Sequence, residues 1–489
     1  MIKKGEFIHF IGIGGVSMSG IAIELSRQGF NVSGSDISNS NENSYLKEIE
    51  NFGQIRLFEG GHNAENLDPN CKYVVITSTV SKENSEVLKA KALGIQILQR
   101  HEAINMIVKT YKNRIGIFGG AGKTTTTALT FFLFQNSSFL PSLFLGSVMQ
   151  NLKSSVHIEK TKDFCIFETD ESDASFKEMD MNAGIFVAME KDHLEHKAYK
   201  GNYEVMKDYF KSLLVKLKEN NSPVCYNEDS AEVKEMIEEI LPNYQFKKSF
   251  SIKNKKADFY AENFKFKYGG MGFDIFHKGE IFIKNAFMPL IGEFNALNVL
   301  GGIAMLSFFS QIDEIKPAIL TLRSFEGIDK RQAKVGQFKN FDIIDDYAHS
   351  PLKITSMLEG FVRYANEIGA GIIPVCEIHK MTRLESMYDL FLTSFNSLKF
   401  LVLMDIFKVA GYEDKTFDMH KLIEDIKKHN PFIEIVYIPN RYLIKGIKEL
   451  MKRKEFANKK KNFLLFFGAG NSSKIAKNMQ ENLEKLNLE

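Results

Sequence analysis

Short apolar runs recur along this chain, each followed by a glycine-rich or polar turn and then by apolar positions at helical spacing. The first run, 7–11, reads as a buried strand; a glycine cluster and a helical pattern over 18–28 follow it. Strands near 73–76 and 95–98 with a helix around 83–91 continue a βα repetition that predicts a parallel sheet. A second segment begins at Arg114, with a strand over 115–118, a glycine turn and a helix from Lys123. Further strands fall at 164–167 and 184–188. Between 250 and 290 the period changes to two, as in Phe264-Lys265-Phe266-Lys267-Tyr268 and Glu280-Ile281-Phe282-Ile283-Lys284, which predicts an antiparallel patch. From near Ser324 the βα alternation returns, with strands at 342–344, 371–375, 400–404, 433–437 and 463–467. Helices are expected around 352–364 and 384–398.

A chain of 489 residues is too long for one hydrophobic core. The pattern predicts an α/β protein of three domains: a Rossmann-like domain over 1–112, a central P-loop ATPase-like domain with the antiparallel patch over 113–323, and a Rossmann-like domain over 324–489. Composition changes this picture little, but charge narrows it. The 63 basic and 61 acidic side chains leave a net +2, which argues against broad binding to nucleic acid. Local phosphate sites need only a few well-placed lysines. Cys71, Cys165, Cys225 and Cys376 have no CxxC spacing and read as reduced thiols in strands. The lysines at the start (Lys3, Lys4) precede an apolar run too short for a signal peptide, and no stretch reaches the length of a membrane helix. A cytoplasmic protein without membrane insertion is expected. The charge runs at 452–455 and 459–461 read as a solvated helix end and loop.

Five sites carry chemistry. Gly119-Gly120-Ala121-Gly122-Lys123-Thr124-Thr125 follows a strand and opens a helix. Its glycines let the backbone wrap a phosphate, Lys123 supplies a point charge, and Thr124 can ligate magnesium. The longer GxxxxGK[ST] pattern would need glycine where Ile117 stands, so this is a GxxGKT loop. Gly12-Ile13-Gly14-Gly15 follows the first strand, with Asp36 at the end of the next. That pattern brings a nucleotide to a helix N-terminus and fits NAD and a UDP-sugar equally. Glu168-Thr169-Asp170-Glu171-Ser172-Asp173 is an acidic segment at a strand end that suits a hard cation. The strand 184–188 leads to Glu190-Lys191-Asp192-His193. Asp345-Asp346-Tyr347-Ala348-His349-Ser350-Pro351 and His379-Lys380-Met381-Thr382-Arg383 each follow a parallel strand, and so belong on one edge of the third sheet.

Together these motifs, with Asn295-Ala296-Leu297-Asn298, Arg331 and Gly468-Ala469-Gly470, resemble the Mur ligase family, in its order and over nearly the whole chain, and its alanine-adding branch in particular. The resemblance implies ATP-driven amide formation between the carboxylate of UDP-N-acetylmuramate and L-alanine, through an acyl phosphate, in peptidoglycan precursor synthesis. It implies ATP on Gly119, Gly120, Ala121, Gly122, Lys123, Thr124, Thr125, Asn295, Arg331 and Asp345, and Mg2+ on Thr124, Glu168 and His193. It places the UDP-sugar on Gly12, Gly14, Gly15, Asp36 and Ser78, and the amino acid on Tyr347, His349 and Arg383. Lys123, His193, Arg331, His349 and Arg383 are the catalytic set it implies. The oligomeric state is left open.

The chain departs from the family pattern. Gly120 and Ala121 stand for threonine and histidine, Ser17 for glycine, Phe294 for histidine, Lys380 for arginine, Ser350 for histidine and Glu195 for aspartate. Phe210 falls near the position of a modified lysine found in sibling ligases. Three other readings compete: a ligase that attaches a whole tripeptide, a nicotinamide-dependent oxidoreductase built on Gly12–Asp36, and a nucleotide-binding regulator without catalysis. Ser172 leans away from the first, and the phosphate loop is unexplained by the second.

Overall fold

The computed structural model describes residues 4–408 and 417–488, so Lys3 lies outside the described residues. The chain packs as two compact units. One comprises Met1–Tyr260, Phe276–Phe282 and Leu297–Leu322, the other Ala261–Ile275, Ile283–Ala296 and Arg323–Glu489. The expected α/β class holds, with three sheets.

In the first unit a five-stranded sheet has the order Arg56–Phe58, Asn31–Ser35, Phe7–Ile11, Cys71–Ile76, Gln96–Gln99. Its neighbours are all parallel. Strand order reverses about Phe7–Ile11, so a crevice opens beyond the carboxyl ends of the central strands, where such sheets bind ligands.

The ten-stranded sheet has Asn113–Phe118 between Ala183–Phe186 and Phe164–Glu168, parallel to both. Beyond them lie Val224–Asn227 and Lys247–Ser251 on one side, and Pro141–Met149 with its antiparallel edge strand Ser154–His157 on the other. The patch expected over 250–290 consists of Phe259–Lys267, Gly270–His277 and Glu280–Met288. Two-residue connections at 268–269 and 278–279 allow only antiparallel hairpins there. Gly269 and Gly279 have φ of 87° and 85°, a conformation tight turns need and glycine adopts without strain. The helix Tyr203–Glu219 packs on this sheet through Phe210, whose ring lies 4.4 Å from that of Phe176 and 5.3 Å from that of Phe186. Phe210 is thus core, while Lys207 and Lys211 pair with Glu204 and Glu239.

In the second unit the sheet order is Ala333–Phe338, Phe341–Asp346, Asn462–Phe467, Gly371–Cys376, Phe400–Leu403, Glu434–Tyr437, parallel except for the first pair. Every residue of the central strand Asn462–Phe467 is buried, which is why all of it after Asn462 is apolar. The helix expected at 384–398 is broken into Met381–Ser386 and Tyr388–Thr393, because Met387 (φ −125°, ψ 26°) leaves helical geometry. The charge run near 460 is only partly solvated. Lys461 pairs with buried Asp342 at 2.6 Å and Lys459 donates to the Ala370 carbonyl at 2.7 Å, so both tie the sheet edge. The four cysteines are buried strand residues without disulfides. Among the described residues no helix is long and apolar enough to cross a membrane.

Candidate active site

The crevice of the first sheet is a cleft of about 840 Å3, lined by the turns that follow its parallel strands. Gly12, Gly14 and Gly15 come from the turn after Phe7–Ile11, Asp36 from the next, Ser78 from the turn after Cys71–Ile76, and Arg100 and His101 from the last. All five residues assigned to a UDP-sugar therefore line one cleft. Asp36 is tied to the glycine turn, accepting from the Gly14 amide at 2.8 Å. An added Cβ at Gly14 would lie 2.8 Å from the Asp36 carboxylate and 2.9 Å from the Leu46 side chain, so only glycine fits.

Behind the cleft wall sits Glu86, fully buried. It accepts from Ser35 Oγ at 2.6 Å, Asn66 Nδ2 at 2.7 Å, the Asn63 amide at 3.2 Å and His9 Nε2 at 3.3 Å. Burial works against its charge, but the hydrogen bonds from His9, Ser35 and Asn66 prevail and its pKa is lowered.

The phosphate loop 119–122 follows the strand Asn113–Phe118 and opens the helix Lys123–Gln135. The helix needs the loop's glycines: Gly119 and Gly122 have φ of 120° and 93°. Lys123 Nζ donates to the Gly119 and Gly120 carbonyls at 2.8 Å each and forms an ion pair with Glu171. Burial opposes its charge, yet Glu171 and Glu168 raise its pKa. Thr124 Oγ1 donates to Glu168 Oε1 at 2.8 Å, and Glu168 Oε2 accepts from the Gly146 amide at 2.9 Å. The Gly120 amide donates to the Ala188 carbonyl at 2.7 Å, so the segment carrying His193 packs on this loop. The His193 ring lies beside Asp192 (3.6 Å), with its backbone at φ 61°. Thr126 Oγ1 donates to Asn298 Oδ1 at 3.0 Å, beside Gly122.

The acidic segment serves both places. Glu168 and Glu171 face the phosphate loop, while Asp170, Ser172 and Asp173 line the cleft, with Asp170 paired to Arg100 at 3.2 Å.

In the second unit, the loops after Phe341–Asp346 and Gly371–Cys376 meet as a ladder of rings. The Arg331 guanidinium lies 5.1 Å from the centre of the Tyr347 ring. The Tyr347 and His349 rings are 4.8 Å apart, and those of His349 and His379 are 6.0 Å apart. His349 Nδ1 donates to the Tyr347 carbonyl at 2.6 Å, since that oxygen only accepts. Arg383 Nη1 donates to His379 Nδ1 at 3.3 Å, so a neutral His379 carries its proton on Nε2. Burial, then Arg383 and Lys380, lower the His379 pKa to about 4. Asp345 accepts from Ser473 Oγ, and burial raises its pKa. Asn295 donates to the Ile291 carbonyl at 2.8 Å and is buried at the start of Glu293–Leu306.

Comparison with known proteins gives this geometry a context. Residues 7–112 match the model of the Mur ligase family catalytic domain, and residues 117–306 that of the Mur ligase middle domain. The UDP-N-acetylmuramate–L-alanine ligase of Hydrogenobaculum sp. (strain Y04AAS1) is 31% identical over 477 residues, 96% of this chain and 97% of that protein. The chain belongs to the Mur ligase family. The ligase of the same name from Rickettsia massiliae is 30% identical, over 87% of this chain and 85% of its own. The crystal structure of the UDP-N-acetylmuramate-alanine ligase from Thermotoga maritima shares the fold, with a TM-score of 0.76 at 22% identity over 98% of this chain and 99% of that one.

Within this Mur ligase, sequence reasoning passed over several residues that the structure puts at the sites. Arg100 and His62 in the cleft were not singled out, and Glu171 and Asn298 were quoted only as members of their motifs, because the partnerships of Glu171 with Lys123 and Asn298 with Thr126 are contacts between distant segments. Two had a local signal: Glu171 in the acidic segment 168–173, and Asn298 one helical turn after Asn295.

Proposed function

We propose that this chain is an ATP-dependent ligase that joins L-alanine to the carboxylate of UDP-N-acetylmuramate, releasing ADP and phosphate. The observation that carries the reading is the acidic segment 168–173, which reaches the phosphate loop with two side chains and lines the nucleotide-sized cleft with three. A substrate in that cleft and the terminal phosphate of ATP on Lys123 would be bound by one short stretch of chain. The relatives that match nearly end to end bear the corresponding name.

A carboxylate is a poor electrophile, so the reaction needs a leaving group. The sugar's carboxylate oxygen attacks the γ-phosphorus, and ADP departs with the electrons of the broken P–O bond. The alanine nitrogen then attacks the acyl carbon and loses a proton, and phosphate leaves with the C–O electrons. Lys123 exchanges its carbonyl and Glu171 partners for phosphate oxygens and neutralises charge on the transferring group. The N-terminus of Lys123–Gln135 adds amide donors. Arg383 pairs with the alanine carboxylate, supported by Tyr347 and His349; Asn295, Arg331 and Asp345 are assigned to ATP by family resemblance.

The hydroxyl of Thr124 beside the Glu168 carboxylate is a hard-oxygen donor set that fits Mg2+, with His193 as the further ligand we assign. Among the described residues no cluster of three or more His, Cys, Asp or Glu stands ready for a metal. The rest of an octahedral shell would come from phosphate and water, as is usual for this ion. When bound, Mg2+ supplies positive charge to the phosphate oxygens. We assign UDP-sugar, ATP and amino acid to 1–112, 113–323 and 324–489 respectively. ADP release with UDP-N-acetylmuramate and each candidate amino acid in turn tests the reading. Turnover should require both substrates and be fastest with L-alanine; ADP release indifferent to the amino acid would refute it.

A further inference from the structure

Arg331, one of the residues assigned to ATP, sits between two residues of left-handed backbone. Lys330 has φ of 58° and Gln332 φ of 51°, and neither is glycine. Such conformations are costly for any residue with a side chain and persist where surrounding contacts over-determine them. Both are held by the loop after Phe341–Asp346. The Lys330 carbonyl accepts from the Tyr347 amide at 2.8 Å, and the Gln332 amide donates to Asp346 Oδ2 at 2.9 Å. Asp346 Oδ1 accepts in turn from the Ala348 amide at 2.8 Å.

The side chain of Gln332 reaches a different segment. Its Oε1 accepts from the Ile291 amide at 2.9 Å, and its Nε2 donates to the Ile291 carbonyl at 2.8 Å. A backbone N–H only donates and a carbonyl only accepts, so Ile291 fixes which end of the glutamine amide is which. Paired residues of an antiparallel ladder exchange two hydrogen bonds in this way; here a side chain does so. The Ile291 carbonyl also accepts from Asn295 Nδ2 at 2.8 Å, so Gln332 and Asn295 share one oxygen. Segment 291–295 is joined to the helix Pro351–Glu367 as well, by the Glu293–Arg363 ion pair and by Gly360, where an added Cβ would lie 2.7 Å from Gly292 Cα. Those contacts tie the segment to a helix; Gln332 ties it to the turn that carries Arg331.

We propose that Gln332 is a positioning residue for ATP: its amide holds Asn295 and Arg331 at a fixed spacing, so that both meet the nucleotide without prior rearrangement. This rests on the assignment of ATP to those two residues, and adds to it the side chain that sets their spacing. Preorganisation of this kind is read in affinity, because apparent binding weakens in proportion to the fraction of molecules in the competent arrangement.

The test is calorimetry on the full chain, with ATP in the presence of magnesium and with UDP-N-acetylmuramate, beside denaturant unfolding. Gln332→Met keeps the length of the side chain and loses both hydrogen bonds to Ile291. It should weaken ATP by about 5- to 100-fold, the range spanned by two neutral hydrogen bonds, and leave UDP-N-acetylmuramate within about 2-fold. Gln332→Gly loses the same two bonds, yet takes the φ of 51° without strain and keeps its own amide for Asp346. It should lose as much ATP affinity as Gln332→Met while unfolding at the higher denaturant concentration of the two, and it decides alone should the methionine variant fail to fold. Affinity and stability then diverge, which a merely structural clamp would not produce. ATP affinity unchanged in the variants overturns the proposal, and so does an equal loss for UDP-N-acetylmuramate. If wild-type protein binds ATP and the variants match it, only this inference falls; wild-type protein that binds no ATP takes the ligase reading with it.

Discussion

Replacing Arg383 with alanine tests the amino-acid pocket and the electrostatics of its neighbour at once. Arg383 is 7% exposed and lies 3.3 Å from His379 Nδ1, so its charge acts at short range in a dry setting. A carboxylate bound there and then left unpaired costs about 3–5 kcal/mol, since burial removes the water that would replace the partner. The Michaelis constant for alanine should rise by about two to three orders of magnitude, while the affinities for ATP and UDP-N-acetylmuramate barely move. Arg383→Lys should restore part of the loss, because an ammonium cannot grip both oxygens. The second effect is on His379. Its pKa is held at about 4, first by burial and then by Arg383, so the variant should titrate higher but stay below an exposed histidine. Since the folded pKa is depressed, an unfolded chain takes up that proton first as pH falls. The stability His379 contributes is complete above about pH 6.5 and declines towards pH 4, and Arg383→Ala should narrow that window. Steady-state kinetics with alanine as the varied substrate and NMR titration of the His379 ring check the two effects. An unchanged alanine dependence together with weakened ATP binding would place the pocket elsewhere, and an unmoved His379 titration would refute the electrostatic account.

Lys123→Ala should abolish ligation yet leave UDP-sugar binding nearly intact, because the lysine touches the phosphate loop and Glu171 and is not among the residues lining the cleft; calorimetry in which both affinities collapse would contradict this. Glu168→Gln and His193→Ala should each raise the magnesium concentration needed for half-maximal turnover, and full activity of both at limiting magnesium would remove them from the metal site. Gly120→Thr, which restores the residue usual in the family, should lower stability by about 1–3 kcal/mol in denaturant unfolding and slow turnover. Its Cβ would stand 2.9 Å from Glu190 Cγ and 3.2 Å from the Glu190 amide nitrogen, and an unaffected variant would show that Glu190 yields freely.

The parallel strands were legible because a strand buried on both faces is a nearly continuous apolar run, as Phe463–Phe467 is after Asn462. Edge strands lack that constraint. Ala333–Phe338, half exposed with lysine and glutamine in it, carries no such run and went unread; so did Pro141–Met149, whose glycine and serines break the pattern. Helix ends were read a residue or more off, since Val16 and Ser17 carry no apolar period. The glycine turn between the strand Asn113–Phe118 and the helix Lys123–Gln135 was legible because its glycines are imposed locally by the backbone conformation. Partnerships such as Glu171 with Lys123, or Glu86 with Ser35 and His62, were not, because they join segments that only the fold brings together.

The departures from the family pattern take on a physical meaning at the phosphate loop. Gly120 looks like a lost side chain in the sequence, but in the fold its amide donates to the Ala188 carbonyl and the space a side chain would enter is filled by Glu190. The small residue and the close approach of the 188–193 segment are one feature. A similar exchange occurs where Phe294 replaces histidine: its ring lies against Gly292, whose φ of 100° lets the chain turn into the helix Glu293–Leu306. With glycine and alanine at 120 and 121, neither position has a side-chain donor of its own, so on the proposed assignment the loop would offer phosphate its backbone amides, Lys123 and Thr124. On that assignment, charge stabilisation in phosphoryl transfer would fall more heavily on Lys123 than in a loop that carries threonine and histidine there. The neighbouring carboxylates fit the proposed assignment, since Glu171 and Glu168 raise the lysine's pKa against the cost of burial, and phosphate would take their place.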